Sequence, residues 1–113
     1  MDKAIKIQHK DLAEGKWEQM SLCKQMANIG SEVVRALNWQ KKGKKDFSQK
    51  AVIRALELLD LSLDSIKTFS RIKEIARLRE AVVDYFYGPN QFSSSETSWL
   101  NYFNHFNYAA RRS

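Results

Sequence analysis

The sequence predicts an all-α fold, an antiparallel up-down four-helix bundle. Four separate segments repeat their apolar residues with the 3.6-residue period of an amphipathic helix. The 113-residue chain has only four glycines and one proline, fewer than short strands joined by tight turns would need. The connections between the segments are short, which favours antiparallel neighbours. We expect a flexible N-terminal arm over residues 1–16 and a single domain over 17–113.

The first two helices are predicted over residues 18–41 and 46–64. Gly43 is a suitable C-terminal stop for helix 1, and Asp46 with Gln49 three residues later predicts a capping box for helix 2. Helix 2 is apolar around much of its circumference, which predicts a central position in the bundle. The expected stripes are Leu22, Met26, Ile29, Val33 and Leu37 in helix 1, and Val52, Leu56, Leu59 and Leu63, widened by Ile53, Ala55 and Leu58, in helix 2.

Helices 3 and 4 are predicted over residues 70–87 and 95–111. Ser70 is expected to cap helix 3, and Gly88-Pro89 to end it. Ser93 and Glu96 predict a capping box before helix 4. The inward-facing residues are expected to be Ile72, Ile75, Leu78, Val82 and Phe86 in helix 3, and Trp99, Phe103, Phe106 and Ala110 in helix 4. Across the bundle we predict a core that contains Val33, Leu56, Leu59, Ile75, Val82 and Phe103.

Composition favours a reducing compartment and no contact with a membrane. Cys23 is the only cysteine, so an internal disulfide is impossible. The N-terminal segment is charged throughout and has no apolar region of the kind found in signal peptides. No window approaches the 18 apolar residues of a membrane-spanning helix. We therefore expect a cytoplasmic protein.

The spacing of reactive side chains predicts no catalytic centre. Metal sites in helical bundles use Glu-x-x-His pairs, but the residue three before His105 is Tyr102, and Lys6 is three before His9. Cys23 lies beside the apolar stripe of helix 1 and is expected to be a small buried hydrophobe. We predict no catalytic residue, no metal site and no cofactor, and that the protein is not an enzyme.

Arg79 lies close to the buried face of helix 3, between Ile75 and Val83. An arginine in such a position commonly pairs with a carboxylate of another helix, and Glu32 and Glu57 are the candidates. The alternative is an anion-binding residue in a groove.

Positive charge is concentrated around the turn between helices 1 and 2. Seven basic residues and one acidic residue give the stretch 35–54 a net charge of +6, which equals the formal net charge of the whole chain. Lys44 and Lys45 directly precede a helix N-terminus, where positive charge opposes the helix dipole, so folding does not require them. This pattern predicts weak binding of RNA or single strands without sequence specificity, and the alternative is a simply solvated turn between two helices. The candidate residues are Arg35, Trp39, Lys41, Lys42, Lys44, Lys45, Lys50 and Arg54.

An alternative function is protein interaction or self-association without a nucleic-acid ligand. The aromatic residues of helix 4 and its approach spread over more than one helix face; they are Phe92, Trp99, Tyr102, Phe103, Phe106 and Tyr108. Such a wide apolar face indicates burial within the fold or across a subunit interface. We therefore also expect a homo-oligomer.

Three stretches, ANIGSEVVRALNW, RALELLDL and DYFYGPN, resemble an uncharacterised family of small prokaryotic all-α proteins, over about residues 27–90. The resemblance implies the helical fold and no activity. In size and helix order the chain also resembles four-helix bundles of the ribosomal intervening-sequence and retroelement-accessory type, and HEPN domains.

The HEPN likeness does not extend to nuclease chemistry. Nuclease members of that group carry an arginine, then four to six residues, then a histidine. The corresponding positions are Ser98, Trp99 and Leu100 before His105, and Asp2, Lys3 and Ala4 before His9. None of them is arginine, so we do not expect a nuclease.

Overall fold

Four helices form the computed structural model, which describes residues 15–66 and 68–112, without the side chain of Arg112. A short 3-10 turn spans Trp17–Gln19, followed by α1 (Leu22–Lys41), α2 (Lys45–Ser65), α3 (Phe69–Tyr87) and α4 (Glu96–Arg112). These described residues contain no strand, so the predicted all-α fold is confirmed. The predicted flexible arm lies outside them, apart from Gly15 and Lys16.

Consecutive helices run antiparallel, as predicted. In the α1–α2 hairpin, the Ser48 hydroxyl donates to the Ala36 carbonyl at 2.9 Å, which fixes the two helices about the turn at Gly43. Lys41 and Glu96 form an ion pair of 2.7 Å that joins the end of α1 to the start of α4. Helix α4 packs on α1 and α3 packs on α2, so the α1–α2 hairpin is the centre of the bundle.

Buried apolar residues from all four helices and the 3-10 turn form one core. Val33, Leu59, Ile75, Val82 and Phe103 are buried as predicted, whereas Leu56 is only half-buried. The prediction that Ile53 widens the apolar row was wrong, because this side chain is 52% exposed. Ile53 lies two residues, or about 200° of helix rotation, from each of the buried Ala51 and Ala55.

Helix α1 begins at Leu22, four residues later than the predicted start at 18. The Ser21 hydroxyl accepts a hydrogen bond from the Lys24 amide at 3.2 Å and caps the helix. Before it, the 3-10 turn places Trp17 in the core, where its indole Nε1 donates to the buried Ser62 hydroxyl at 2.9 Å. Gln25 donates its side-chain amide to the Trp17 carbonyl at 2.8 Å. Trp17 therefore closes the end of the hairpin opposite Gly43.

The turn at Gly43 has the geometry that the sequence predicts for a helix stop. Gly43 adopts a positive φ of 75°, and its amide donates to the Gln40 carbonyl at 3.0 Å. The Lys44 amide donates to the Trp39 carbonyl at 2.9 Å, which completes a Schellman motif. Because α2 then begins at once at Lys45, Asp46 lies inside its first turn. The predicted cap by Asp46 was therefore wrong.

The caps predicted for the last two helices also differ from the structure. Helix α3 begins at Phe69 after Thr68, which makes no side-chain cap, so Ser70 lies inside the helix. Ser95 rather than Ser93 caps α4: the Ser95 hydroxyl accepts from the Ser98 amide at 3.1 Å, and the Ser98 hydroxyl accepts from the Ser95 amide at 2.8 Å. Ser93 has a positive φ of 55° in the preceding loop, so it cannot open a helix.

The loop between α3 and α4 is organised by Asp84 and Asn90. The Asp84 carboxylate accepts from the Gln91 amide at 2.8 Å and from the Phe92 amide at 3.1 Å. The Asn90 side chain accepts from the Ser94 amide and donates to the Ser94 carbonyl. Asp84 and Asn90 both belong to the stretch DYFYGPN, so this motif stabilises a loop.

None of the helices in the described part of the chain is long and apolar enough to cross a membrane.

Candidate nucleic-acid interface

The α1–α2 turn presents lysines that have no acidic partner in the part of the chain that the structure describes. Lys42, Lys44, Lys45 and Lys50 are all exposed. Among the residues that the structure describes, no carboxylate lies within ion-pair distance of these four side chains. Their charge is therefore available to a polyanion in solution.

Two aromatic rings stack on each other beside these lysines. Trp39 at the end of α1 and Phe47 at the start of α2 have ring centroids 4.8 Å apart and planes inclined by 29°. We call them the aromatic pair. Phe47 is 48% exposed and Trp39 is half-buried, although both are large apolar side chains. Helix geometry explains the contact, since the two residues lie four positions on either side of Gly43 in an antiparallel hairpin.

A lysine ammonium group lies over each ring of the aromatic pair. The Lys42 ammonium lies 5.3 Å from the Trp39 ring centroid, and the Lys50 ammonium lies 5.6 Å from that of Phe47. Both lysines are three residues after their aromatic partner, on the same face of the helix. These cation–π contacts hold positive charge next to flat apolar surface, the combination that binds single strands.

The other predicted basic residues are paired with carboxylates within the protein, the two arginines sharing one. Arg35 and Arg54 both donate to Oε1 of the buried Glu32, at 2.9 Å and 3.1 Å. Lys41 is paired with Glu96 at 2.7 Å. Of the eight predicted residues, the structure therefore brings together Trp39 and the four unpaired lysines, and sets these three cations apart.

Phe47 is the residue that the sequence analysis missed. The sequence does contain a signal for it. Phe47 is an aromatic residue in a lysine-rich stretch, and it does not lie on the predicted core stripe of helix 2.

A small cavity lies on the other side of the same turn, between α2 and the end of α3. Its volume is about 170 Å³, and its lining includes Gln40, Lys45, Gln49, Val52 and Tyr87.

A larger groove of about 870 Å³ lies between α3 and α4, which pack on different helices of the hairpin. Leu78, Trp99 and Phe92 line it, and Phe92 is 58% exposed. Trp99 is buried, and its indole Nε1 has no hydrogen-bond acceptor among the described residues. The groove is of the size that ordinarily takes a small molecule or a peptide.

Tyr102 bridges the two walls of this groove. Its hydroxyl donates to a Glu74 carboxylate oxygen at 3.2 Å, which joins α4 to α3. Burial, and then the neighbouring negative charge of Glu74, raise the pKa of the Tyr102 hydroxyl well above its ordinary value. Tyr102 therefore stays protonated as a hydrogen-bond donor throughout the physiological range.

Arg79 forms the predicted kind of contact with a different partner. Its guanidinium donates from Nε to Asp60 Oδ1 at 2.8 Å, so the ion pair does join α3 to another helix. Both predicted partners were wrong: Glu32 is occupied by Arg35 and Arg54, and Asp60 takes the place proposed for Glu57. Arg79 and Asp60 are both more than a third exposed, so the pair is a surface contact.

The remaining reactive side chains of the described residues do not form a catalytic or metal-binding cluster. Cys23, expected to be a small buried hydrophobe, is half-buried, and His105 is exposed. Across residues 15–66 and 68–112, no group of three or more histidine, cysteine, aspartate and glutamate side chains is arranged to hold a metal ion.

Comparison of the chain with protein-family models, with curated proteins and with solved structures finds no match. The family resemblance of the sequence therefore stays a prediction.

Proposed function

We propose that this protein is a non-catalytic module that binds RNA or single-stranded DNA weakly through the α1–α2 turn. The observation that carries the proposal is the exposed aromatic pair with unpaired lysines around it. Phosphates would be met by Lys42, Lys44, Lys45 and Lys50, and bases by the rings of Trp39 and Phe47.

The energies favour exchange of a lysine for a base on the aromatic pair. An exposed cation–π contact contributes about 0.5–1 kcal/mol, whereas a base stacked on an aromatic ring contributes about 1–3 kcal/mol. A base can therefore displace Lys42 from Trp39 or Lys50 from Phe47. The displaced ammonium group then becomes free to meet a phosphate of the same strand.

The pairing of Arg35 and Arg54 with Glu32 limits the expected strength of binding. On a single strand, each phosphate contact adds about 0.7 to the slope of the logarithm of the binding constant against the logarithm of salt concentration. With four lysines available, this slope should be at most about 3 in magnitude. Binding should accordingly be detectable at low salt and lost near physiological salt.

The test is fluorescence anisotropy of a labelled single-stranded oligonucleotide, titrated with protein in about 50 mM salt and above. The variant Lys42→Gln/Lys44→Gln/Lys45→Gln should bind more weakly and show a salt slope smaller by about 2.

A matched control, Lys16→Gln/Lys24→Gln/Lys73→Gln, removes the same charge from exposed lysines elsewhere and should retain most of the affinity. Phe47→Ala should weaken binding while leaving the slope unchanged.

Equal loss in the two triple variants would show that only net charge matters and would contradict a site at the turn. The absence of any binding by the wild-type protein at low salt would reject the function itself.

A second candidate function is self-association or protein docking, which the groove between α3 and α4 favours. Phe92 lines this groove and is more than half exposed, so a partner could bury it. Light scattering should then give a mass above that of one chain, reduced by Phe92→Ser but not by the same change at the exposed Phe69, which does not line the groove. A monomer mass for the wild type at high micromolar concentration would contradict self-association.

A further inference from the structure

The cavity between α2 and the end of α3 lies close to the proposed binding surface but faces the other way. Gln49 is two residues, or about 200° of helix rotation, from Phe47, so the cavity and the aromatic pair lie on nearly opposite sides of α2. Gly43 and Lys45 belong to both the cavity lining and the basic turn. A strand that crosses the turn can reach both places, since a helix with its side chains is only about 10–12 Å across.

The size of this cavity suits one planar ring. Its volume of about 170 Å³ is below the roughly 300 Å³ at which pockets for drug-sized ligands begin. It corresponds to the space of five or six water molecules, at about 30 Å³ each.

The lining of the cavity combines flat apolar surface with unused amides. Val52 and Phe86 supply apolar walls, and the half-exposed Tyr87 adds a ring on which a base can stack. The side-chain amides of Gln40 and Gln49 have no hydrogen-bond partner among the described residues, although both lie in the lining. An amide offers one donor group and one acceptor side by side, a pattern complementary to the edge of a nucleobase.

We propose that this cavity holds one nucleobase of the bound strand, and that Gln40 and Gln49 read its hydrogen-bonding edge. The inference rests on the proposed function, and adds to it a preference for one kind of base. Adenine presents a donor at N6 next to an acceptor at N7, which an amide matches with two hydrogen bonds. Guanine presents two acceptors at the same edge, so a single amide satisfies it less well. Lys45 is placed to bind the phosphate next to the inserted base.

This arrangement divides the binding surface into two parts. The aromatic pair stacks on any base, because every base has a flat face. The cavity distinguishes bases through the two glutamines. The strand would therefore bind with weak general affinity and with a preference at a single position.

The test uses the full chain and short labelled oligothymidylates that differ at one central position. Adenine, guanine or an abasic site replaces thymine there, and anisotropy gives the four affinities in low salt. Wild-type protein should bind the adenine strand about five-fold more tightly than the guanine strand, at the low end of the range for discrimination by a pair of base hydrogen bonds. Gln40→Ala/Gln49→Ala should abolish this preference and keep the affinity for plain oligothymidylate. Gln91→Ala, an exposed glutamine outside the cavity, is the matched control and should retain the preference.

These outcomes distinguish a failure of the proposed base site from a failure of the proposed nucleic-acid binding. Equal binding of the adenine and guanine strands by the wild type overturns the base preference, and equal binding of the adenine and abasic strands overturns the base site. Either result leaves the proposed function standing. Retention of the adenine preference in the double glutamine variant overturns the role of the two amides. Failure to bind any of the four strands overturns both proposals.

Discussion

Gly30 in α1 lies directly against the ring of Phe103 in α4. A Cβ atom at Gly30 would lie 2.6 Å from Cγ and Cδ1 of Phe103 and 2.8 Å from its Cβ, much closer than carbon atoms approach each other. Both residues are buried, and rotation of the ring about its Cβ–Cγ bond leaves Cβ and Cγ of Phe103 in place, so the contact cannot be relieved by turning the ring. The missing side chain at position 30 therefore sets the distance between α1 and α4.

Gly30→Ala should destabilise the protein in spite of its better helix propensity. Replacing glycine by alanine in a helix interior raises the free energy of unfolding by up to about 1 kcal/mol through helix propensity. Forcing a methyl group into a packed core lowers it by about 1–3 kcal/mol. We expect a net loss of about 1 kcal/mol in urea unfolding. Phe103→Leu in the same chain should recover part of the loss, and a stability at or above that of the wild type in Gly30→Ala alone would contradict the contact.

Replacement of Glu32 should lower stability and strengthen binding of nucleic acid. Glu32→Gln keeps a hydrogen-bond acceptor but removes the buried negative charge with which Arg35 and Arg54 both pair. We expect this change to lower the free energy of unfolding by about 1–3 kcal/mol. The same change frees two guanidinium groups close to the basic turn, so the affinity for an oligonucleotide at low salt should rise. Glu80→Gln alters the net charge equally at an exposed position in α3 and is the control. Equal gains in affinity for the two variants would show that the arginines themselves make no contribution.

The buried hydrogen bond between Trp17 and Ser62 should appear as a coupling in a double-mutant cycle. Trp17→Phe leaves the Ser62 hydroxyl without its donor, and Ser62→Ala leaves the indole Nε1 without its acceptor. Each single change should cost about 1–3 kcal/mol, because a buried polar group loses its partner. Removal of both groups should cost less than the sum of the single changes. Strict additivity of the two free energies of unfolding would contradict the bond.

Tyr102 should make the protein sensitive to alkaline pH. The pKa of its hydroxyl is raised in the folded state, so the folded protein binds this proton more tightly than the unfolded chain does. Its contribution to stability is therefore fully present below the ordinary tyrosine pKa of about 10 and is lost as the pH rises above it. Urea unfolding on both sides of this pH should show a steeper alkaline loss in the wild type than in Tyr102→Phe. Equal alkaline losses in the two proteins would exclude the effect.

The positions of the helices were predictable from sequence because their determinants are local. Apolar periodicity placed α2, α3 and α4 within one residue of their observed bounds. Helix α1 ends two residues before Gly43, and helix α3 ends directly before Gly88-Pro89. These stops are local, because the backbone conformation of a glycine or a proline depends on that residue and its immediate neighbours. Helix caps were less predictable, because several serines near the start of a helix can serve as its cap. The conformation of the preceding loop determines which one does, and before α4 it is Ser95 and not Ser93.

The site could be predicted only in part. Sequence located the lysines of the turn, because charge concentration along the chain is visible without a structure. It could not show that Arg54 is bound to Glu32, or that Phe47 stacks on Trp39, because these contacts depend on how two helices are rotated against each other.

The sequence by itself determined four helices, their order, their apolar faces and a basic turn. The tertiary structure alone decided which cations remain unpaired, the insertion of Trp17 beside Ser62, and the close approach of α1 and α4 at Gly30. It also decided that α3 and α4 leave a groove between them. The physical reason is that helix formation depends on neighbours along the chain, whereas each of these features needs atoms from residues far apart in sequence to meet at a distance of a few ångströms.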